Sequence, residues 1–235
     1  MKLLFRMTII GFLLGGNLIC LAKDGDGGDG DEANPPPANY SGVWIVNGKN
    51  GKKAAEVSYK EGKRHGLARG WHSNGEPSFV SHYENGQLEG VSVSWDEAGL
   101  VKRITVDQPD GTHQWTEYFG NGHPSQEQVL KDGKLLRRRM WHNTGAKATD
   151  YWCKNGKPHG KYTEWHPNGT VRQEGEYENG EAVGMFSCWN EEQKLTRTLH
   201  HQNGKIVRID IYENEKVVEQ EYWEAGKRIR TEKVP

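Results

Sequence analysis

Ten histidines and three cysteines are the residues most able to hold a metal or act as nucleophiles, and their spacing argues against both roles. His72, His142 and His166 each follow a tryptophan. If each belongs to its own hairpin they stand ~10 Å apart, whereas two ligands of one zinc need nitrogens only a few Å from each other. His65 and His159 each precede a glycine and fall to the same argument, and His200 and His201, neighbours on a strand, would point to opposite faces. There is no Gly-x-Ser-x-Gly elbow, and nothing around Cys153 and Cys188 suggests a helix N-terminus to lower a thiol pKa. Asp24, Asp26, Asp29 and Asp31 supply oxygen, but a calcium loop fails on spacing, because neither frame places a bidentate Glu at its last position. Arg137 and Arg139 are the pair that could hold a phosphate, since alternation turns Arg138 to the other face. Carboxylate pairs such as Glu191-Glu192 are what a wet two-faced sheet carries. The expectation is a chain without catalytic residues, metal or cofactor.

The elements that position these residues are marked by glycine. Gly48, Gly62, Gly75, Gly86, Gly99, Gly111, Gly122, Gly133, Gly145, Gly156, Gly169, Gly180, Gly204 and Gly226 recur mostly 11 to 13 residues apart, with Gln193 in the missing place of the longest gap, Gly180 to Gly204. At Gly75, Gly86, Gly156, Gly169, Gly180 and Gly204 the preceding residue is asparagine, the strongest short signal for a type I′ hairpin, in which both central residues take positive φ. Such a succession of turns predicts a β-meander with a period of 23 to 24 residues. Trp71, Trp95, Tyr118, Trp141, Trp165, Trp189 and Tyr212 fall on that period. A second series, Tyr59, Tyr83, Tyr177 and Trp223, precedes the other turn of each unit, with Cys153 in the same place once.

Composition agrees. Leu, Ile, Val and Phe are scarce, about 16% of residues 40–235, too few for a layered α/β core. Balanced charge, −1 overall, and nine Trp with nine Tyr argue against disorder and give no reason to expect nucleic acid as a partner. Residues 1–22 read as a signal peptide cleaved after Ala22, with Cys20 as a lipidation site in the alternative reading. Residues 23–39 read as a Gly/Asp/Pro linker and 40–235 as the repeat domain, placed outside the cytoplasm, secreted or periplasmic. Asn39 and Asn168 sit in glycosylation sequons. Cys153 and Cys188 are expected on strands with two others between them, ~14 Å apart and beyond disulfide reach.

Tyr83-Glu84-Asn85-Gly86-Gln87-Leu88-Glu89-Gly90, Trp152-Cys153-Lys154-Asn155-Gly156-Lys157-Pro158-His159-Gly160 and Tyr177-Glu178-Asn179-Gly180-Glu181-Ala182-Val183-Gly184 resemble the aromatic-x-Asn-Gly-x-x-x-Gly core of the MORN repeat in its bacterial variant form. The resemblance spans residues 44–230 and weakens around Gly111 and Gly133, where the closing Gly is absent. It implies an all-β fold, an elongated single-layer antiparallel meander of seven to eight hairpins with aromatics stacked on one face. The family implies holding of proteins or lipid rather than chemistry, and some of its bacterial members are named antitoxins. The expected function is an exported, non-enzymatic scaffold with a protein partner and a link to the membrane or envelope. The rival is a carbohydrate-binding module that uses exposed rings of the ladder. An enzyme would need a pocket near Gly111.

Overall fold

A computed structural model describes residues 36–235, so the signal-peptide reading, Ala22, Cys20 and most of the linker lie outside the described residues. The described residues form one antiparallel sheet of 18 strands. These are β1 (Gly42–Asn47), β2 (Lys53–Lys60), β3 (Lys63–Trp71), β4 (Pro77–Glu84), β5 (Gln87–Leu88), β6 (Gly90–Trp95), β7 (Val101–Asp107), β8 (Thr112–Tyr118) and β9 (Pro124–Lys131). They continue as β10 (Lys134–Trp141), β11 (Lys147–Lys154), β12 (Lys157–Trp165), β13 (Val171–Glu178), β14 (Glu181–Trp189), β15 (Leu195–Gln202), β16 (Lys205–Glu213), β17 (Lys216–Glu224) and β18 (Lys227–Lys233). Each pairs with its neighbours in sequence, β5 and β6 being two parts of one interrupted strand beside β4. The all-β meander expected from the glycine spacing is the fold.

The turns are of two kinds, and they alternate. At Asn85-Gly86, Asn155-Gly156, Asn179-Gly180 and Asn203-Gly204 both residues have positive φ, the two-residue type I′ connection. At Asn74-Gly75 and Asn168-Gly169 the expectation of type I′ is corrected, because only the glycine has positive φ. There the Gly75 amide donates to the His72 carbonyl at 2.9 Å and the His72 amide to the Glu76 carbonyl at 2.8 Å, a type I turn closed by a left-handed residue. The asparagine instead accepts through its side chain, Glu76 N to Asn74 Oδ1 at 2.9 Å and Thr170 N to Asn168 Oδ1 at 3.0 Å. Gln193, standing in for glycine, takes φ 61°. The turn at Asn214-Glu215 carries no glycine and escaped the sequence reading, though both residues have positive φ.

The closing glycine of each unit has a job that sequence spacing alone does not reveal. Between the Tyr151–Tyr162 and Cys153–Pro158 pairs, β11 advances two residues while β12 advances four, and Gly160 lies in that bulge at φ 82°. Gly66 and Gly184 do the same in β3 and β14. Where the glycine is missing, as between β15 and β16, the shift shrinks to one residue, from His200–Arg208 to His201–Ile206. Of the weaker units, the hairpin around Gly133 keeps a one-residue bulge, while β7 and β8 around Gly111 pair without a register shift.

The two faces differ. One buries Val57, Ala68 and Tyr83 with Phe79 and Leu88 packed against them, and further along carries Tyr151, Tyr162, Tyr177 and Phe186. Cys153 and Cys188 are free and sit on β11 and β14, with β12 and β13 between them, as expected. Burial raises both thiol pKa values, so neither is an activated nucleophile.

Candidate functional site

The rings that sequence spacing assigns to one ladder divide between the faces. Tyr162 lies 5.5 Å from Tyr177 and Tyr177 5.4 Å from Phe186, edge to face, and His201 continues the stack at 4.9 Å from Phe186. Trp165 lies three residues after Tyr162 on β12, and the extra residue of the adjoining bulge is Arg172 on β13, so alternation along β12 turns Trp165 to the opposite side. The same parity applies to Trp71, Trp95, Trp141 and Trp189, each next to a bulge at the His-bearing turns. Aromatics stacked on a single face, as the family resemblance implied, is thus corrected: Tyr83, Tyr177 and Trp223 belong to one face and the Trp-x-turn series to the other. The cause is the alternating turn, since the two series approach their glycines from strands of opposite parity. All five of these tryptophans are half-buried. Lys53 lies over Trp71 at 4.2 Å and Lys147 over Trp165 at 5.6 Å, which shields ring faces that would otherwise be bare.

The repeated histidines act as staples. His72 Nε2 meets the Trp95 carbonyl at 3.0 Å, His142 the Trp165 carbonyl at 2.9 Å and His166 the Trp189 carbonyl at 2.9 Å, each reaching 23 residues on. A carbonyl only accepts, so Nε2 carries the proton in all three. Asn74 and Asn168 Nδ2 add bonds to the Glu97 and Glu191 carbonyls, also one repeat on. His166→Ala is expected to cost about 1 kcal/mol, one lost hydrogen bond, read as a lower urea midpoint at unchanged m-value. An unchanged midpoint would show that the staple contributes nothing.

The tryptophan face of the second half is a polar ladder. Asp150 takes both Nε and Nη2 of Arg137 at 3.0 and 2.7 Å, and this pairing raises the Arg137 pKa. Arg139 is bound to Glu127, itself 8% exposed. The basic run is thus spent internally and leaves no phosphate site at Arg137 and Arg139. Asp210 is buried. Burial pushes its pKa up, but hydrogen bonds from His200 at 2.7 Å and Gln220 at 3.0 Å, with the charge of Arg208, hold it below its ordinary value. Among the described residues no group of three or more His, Cys, Asp or Glu could hold a metal ion.

The same face in the first half is different. Val43, Ile45, Leu67 and Val91 are 54%, 56%, 44% and 56% exposed. The row Ile45–Glu56–Arg69–Val80–Val93–Ile104 runs across β1 to β7 by direct pairing, and Val43, Leu67, Val91 and Val106 lie two residues along the same face. The Glu56–Arg69 ion pair at 3.2 Å divides the row, with Val43 and Ile45 on one side and Val80, Val91, Val93, Ile104 and Val106 on the other; scattered apolar exposure needs no explanation, but an aliphatic group of the latter size marks an interaction site. The sequence reading, which attended to rings, missed this surface. Its signal was the alternating Val91-x-Val93 and Ile104-x-Val106.

Residues 158–179 match a family model described as the MORN repeat variant. They run from β12 through β13 into the Asn179-Gly180 turn, one of the units on which the resemblance was first read. No curated protein matches the chain. Among solved structures, the crystal structure of accessory secretory protein 1,2 and 3 in Streptococcus pneumoniae contains a chain similar at 16% identity with a TM-score of 0.27. That match covers 41% of this chain and 19% of the other, so this chain spans under a fifth of it, and the likeness carries no argument about function.

Proposed function

We propose that this repeat scaffold is non-catalytic and works outside the cytoplasm by holding a partner protein against the aliphatic half of its tryptophan face. The observation that carries this reading is the exposed patch of Val43, Ile45, Leu67 and Val91 on a sheet only one layer thick. Among the described residues nothing else covers it, while the opposite face of the same strands is packed with its own rings. A partner that laid apolar side chains on this surface would add the second layer that sheets elsewhere use for burial.

The test is capture of partners from envelope extract by the protein and by Leu67→Asp/Val91→Asp. Both positions are exposed, so the double variant keeps the fold and is expected to lose the captured protein. Retention of the same protein by the folded variant would move the contact elsewhere. Carbohydrate stacking finds less support. Trp152 is 53% exposed, the barest indole among the described residues, but Arg137 already lies over its ring at 4.6 Å.

A further inference from the structure

Asn-Gly pairs turn this sheet again and again, and in most of them the glycine amide is already engaged. The Gly86 amide donates to the Arg64 carbonyl at 2.7 Å and the Gly180 amide to the Pro158 carbonyl at 2.9 Å, each tying one turn to the hairpin before it. At Gly48, Gly51, Gly75, Gly122 and Gly169 the amide closes its own loop, on the carbonyls of Lys52, Gly48, His72, Phe119 and His166 at 2.8 to 2.9 Å. Among the described residues, Gly156 and Gly204 alone follow an asparagine and make no such bond. The asparagine side chains divide in the same way. Asn74, Asn121 and Asn168 donate through Nδ2 to carbonyls one repeat on and accept through Oδ1 from the amides of Glu76, His123 and Thr170. The side chains of Asn155 and Asn203 have no hydrogen-bond partner among the described residues.

Space separates these two turns. A Cβ at Gly204 would meet Glu181 Cδ at 3.1 Å and its Cβ and Cγ at 3.2 Å, so the Glu181 side chain lies against that turn. At Gly156 a Cβ would meet nothing within 4 Å. Asn155 and Gly156 are both exposed, with φ 54° and 77°. Closing a ring from the asparagine side chain onto the next nitrogen takes the residue out of this left-handed conformation, so the turn must open first. A turn tied to no neighbour opens at lower cost than one that must also break a bond to the hairpin beside it.

We propose that Asn155 is the site at which this sheet modifies itself, by attack of the Gly156 nitrogen on the Asn155 side-chain carbonyl carbon. The bond from Gly156 N to Asn155 Cγ forms and the Cγ–Nδ2 bond breaks. The Gly156 amide proton passes through solvent to the departing nitrogen, which leaves as ammonia. Water then opens the five-membered imide at either carbonyl, so that aspartate or isoaspartate replaces asparagine. The reaction consumes only water and changes no oxidation state. A glycine nitrogen suits it because no Cβ crowds the approach. The aspartate product sets a carboxylate between Lys154 and Lys157, which pair across the turn. The isoaspartate product adds a methylene to the main chain of a two-residue turn, and the Lys154–Lys157 and Cys153–Pro158 register cannot survive it unchanged. The site is independent of the partner-holding face.

Incubation of the folded protein in mildly alkaline buffer, with proteolytic mapping by mass spectrometry and isoaspartyl methyltransferase labelling at intervals, tests this. The Asn155 peptide is expected to gain the deamidation mass first and Asn203 next. Asn85 and Asn179, whose glycine amides are tied to the preceding hairpin, should follow about tenfold more slowly, the rate equivalent of roughly one hydrogen bond. In urea the Asn-Gly pairs should converge on one rate, which assigns the ranking to the fold. Asn155→Gly keeps a residue at ease with positive φ and should remove the first labelling event while leaving the others in their order. Absence of deamidation in the folded protein, a first event at any other Asn-Gly pair, equal rates at Asn155 and Asn179, or a ranking that persists in urea would overturn the proposal.

Discussion

Phe186→Ala is expected to lower the unfolding free energy by about 3–5 kcal/mol. The ring is 1% exposed, the most buried large side chain among the described residues, and it sits at the meeting point of Tyr162, Tyr177 and His201. A one-layer sheet has no second sheet to relax into the cavity, so the loss falls on the hairpins that share the ring. Units that touch only their neighbours lose stability locally, and hydrogen exchange should show opening concentrated in β12 to β15. A uniform loss of protection over β2 to β7 as well would show that the sheet unfolds as one body. Trp165, by contrast, is half-buried under Lys147, so Trp165→Ala should cost less than Phe186→Ala.

Gly175→Ala is expected to cost about 1–3 kcal/mol by overpacking. A Cβ at Gly175 would lie 2.3 Å from Phe186 Cγ and 2.4 Å from both Cδ atoms, so the ring must leave its place. Gly70 stands in the same relation to Phe79, with a Cβ 2.1 Å from Cε1. Neither glycine has positive φ, so the effect is steric and owes nothing to backbone strain. In a double-mutant cycle with Phe186→Ala the methyl should become tolerable, giving a cost below the sum of the single changes. Additive costs in urea unfolding would mean that the glycine matters for another reason.

These two sites show what the sequence could and could not say. Turn glycines were legible because positive φ restricts the residue type to a few, so Gly86 and Gly156 announce their hairpins directly. The single-layer meander followed from their spacing. Gly175 and Gly70 were not legible, since a glycine inside a strand looks like a weakness until the ring across from it is known. The division of the rings between faces was hidden for a related reason: parity depends on turn length, and Asn-Gly serves both turn types here. A cleft lined by Asp107 and His113 lay in the irregular unit where sequence placed any pocket, but its cause, a four-residue turn bonded to the Asp132 turn and not, among the described residues, to the one at Gly86, required the backbone bonds.

From the His72 turn onward the histidine-bearing edge is sewn at intervals, and among the described residues the turns of Asp96 and Asn190 are left open. Asp96 Oδ1 turns inward to take the Ala98 and Leu100 amides at 3.0 and 2.9 Å, and Asn190 Oδ1 does the same for Glu192 and Lys194 at 3.1 and 2.9 Å. Each caps its own turn and reaches no carbonyl of the next repeat. Elsewhere on that edge His72, Asn121, His142 and His166 carry the thread forward. A ribbon sewn this way has uneven stiffness. Under tension or bending the load on that edge falls on the strand pairs alone at the turns of Asp96 and Asn190. The ribbon should yield at those two places, and the stretch from Asn121 to Asn190 should move as a stiff plank between two compliant joints.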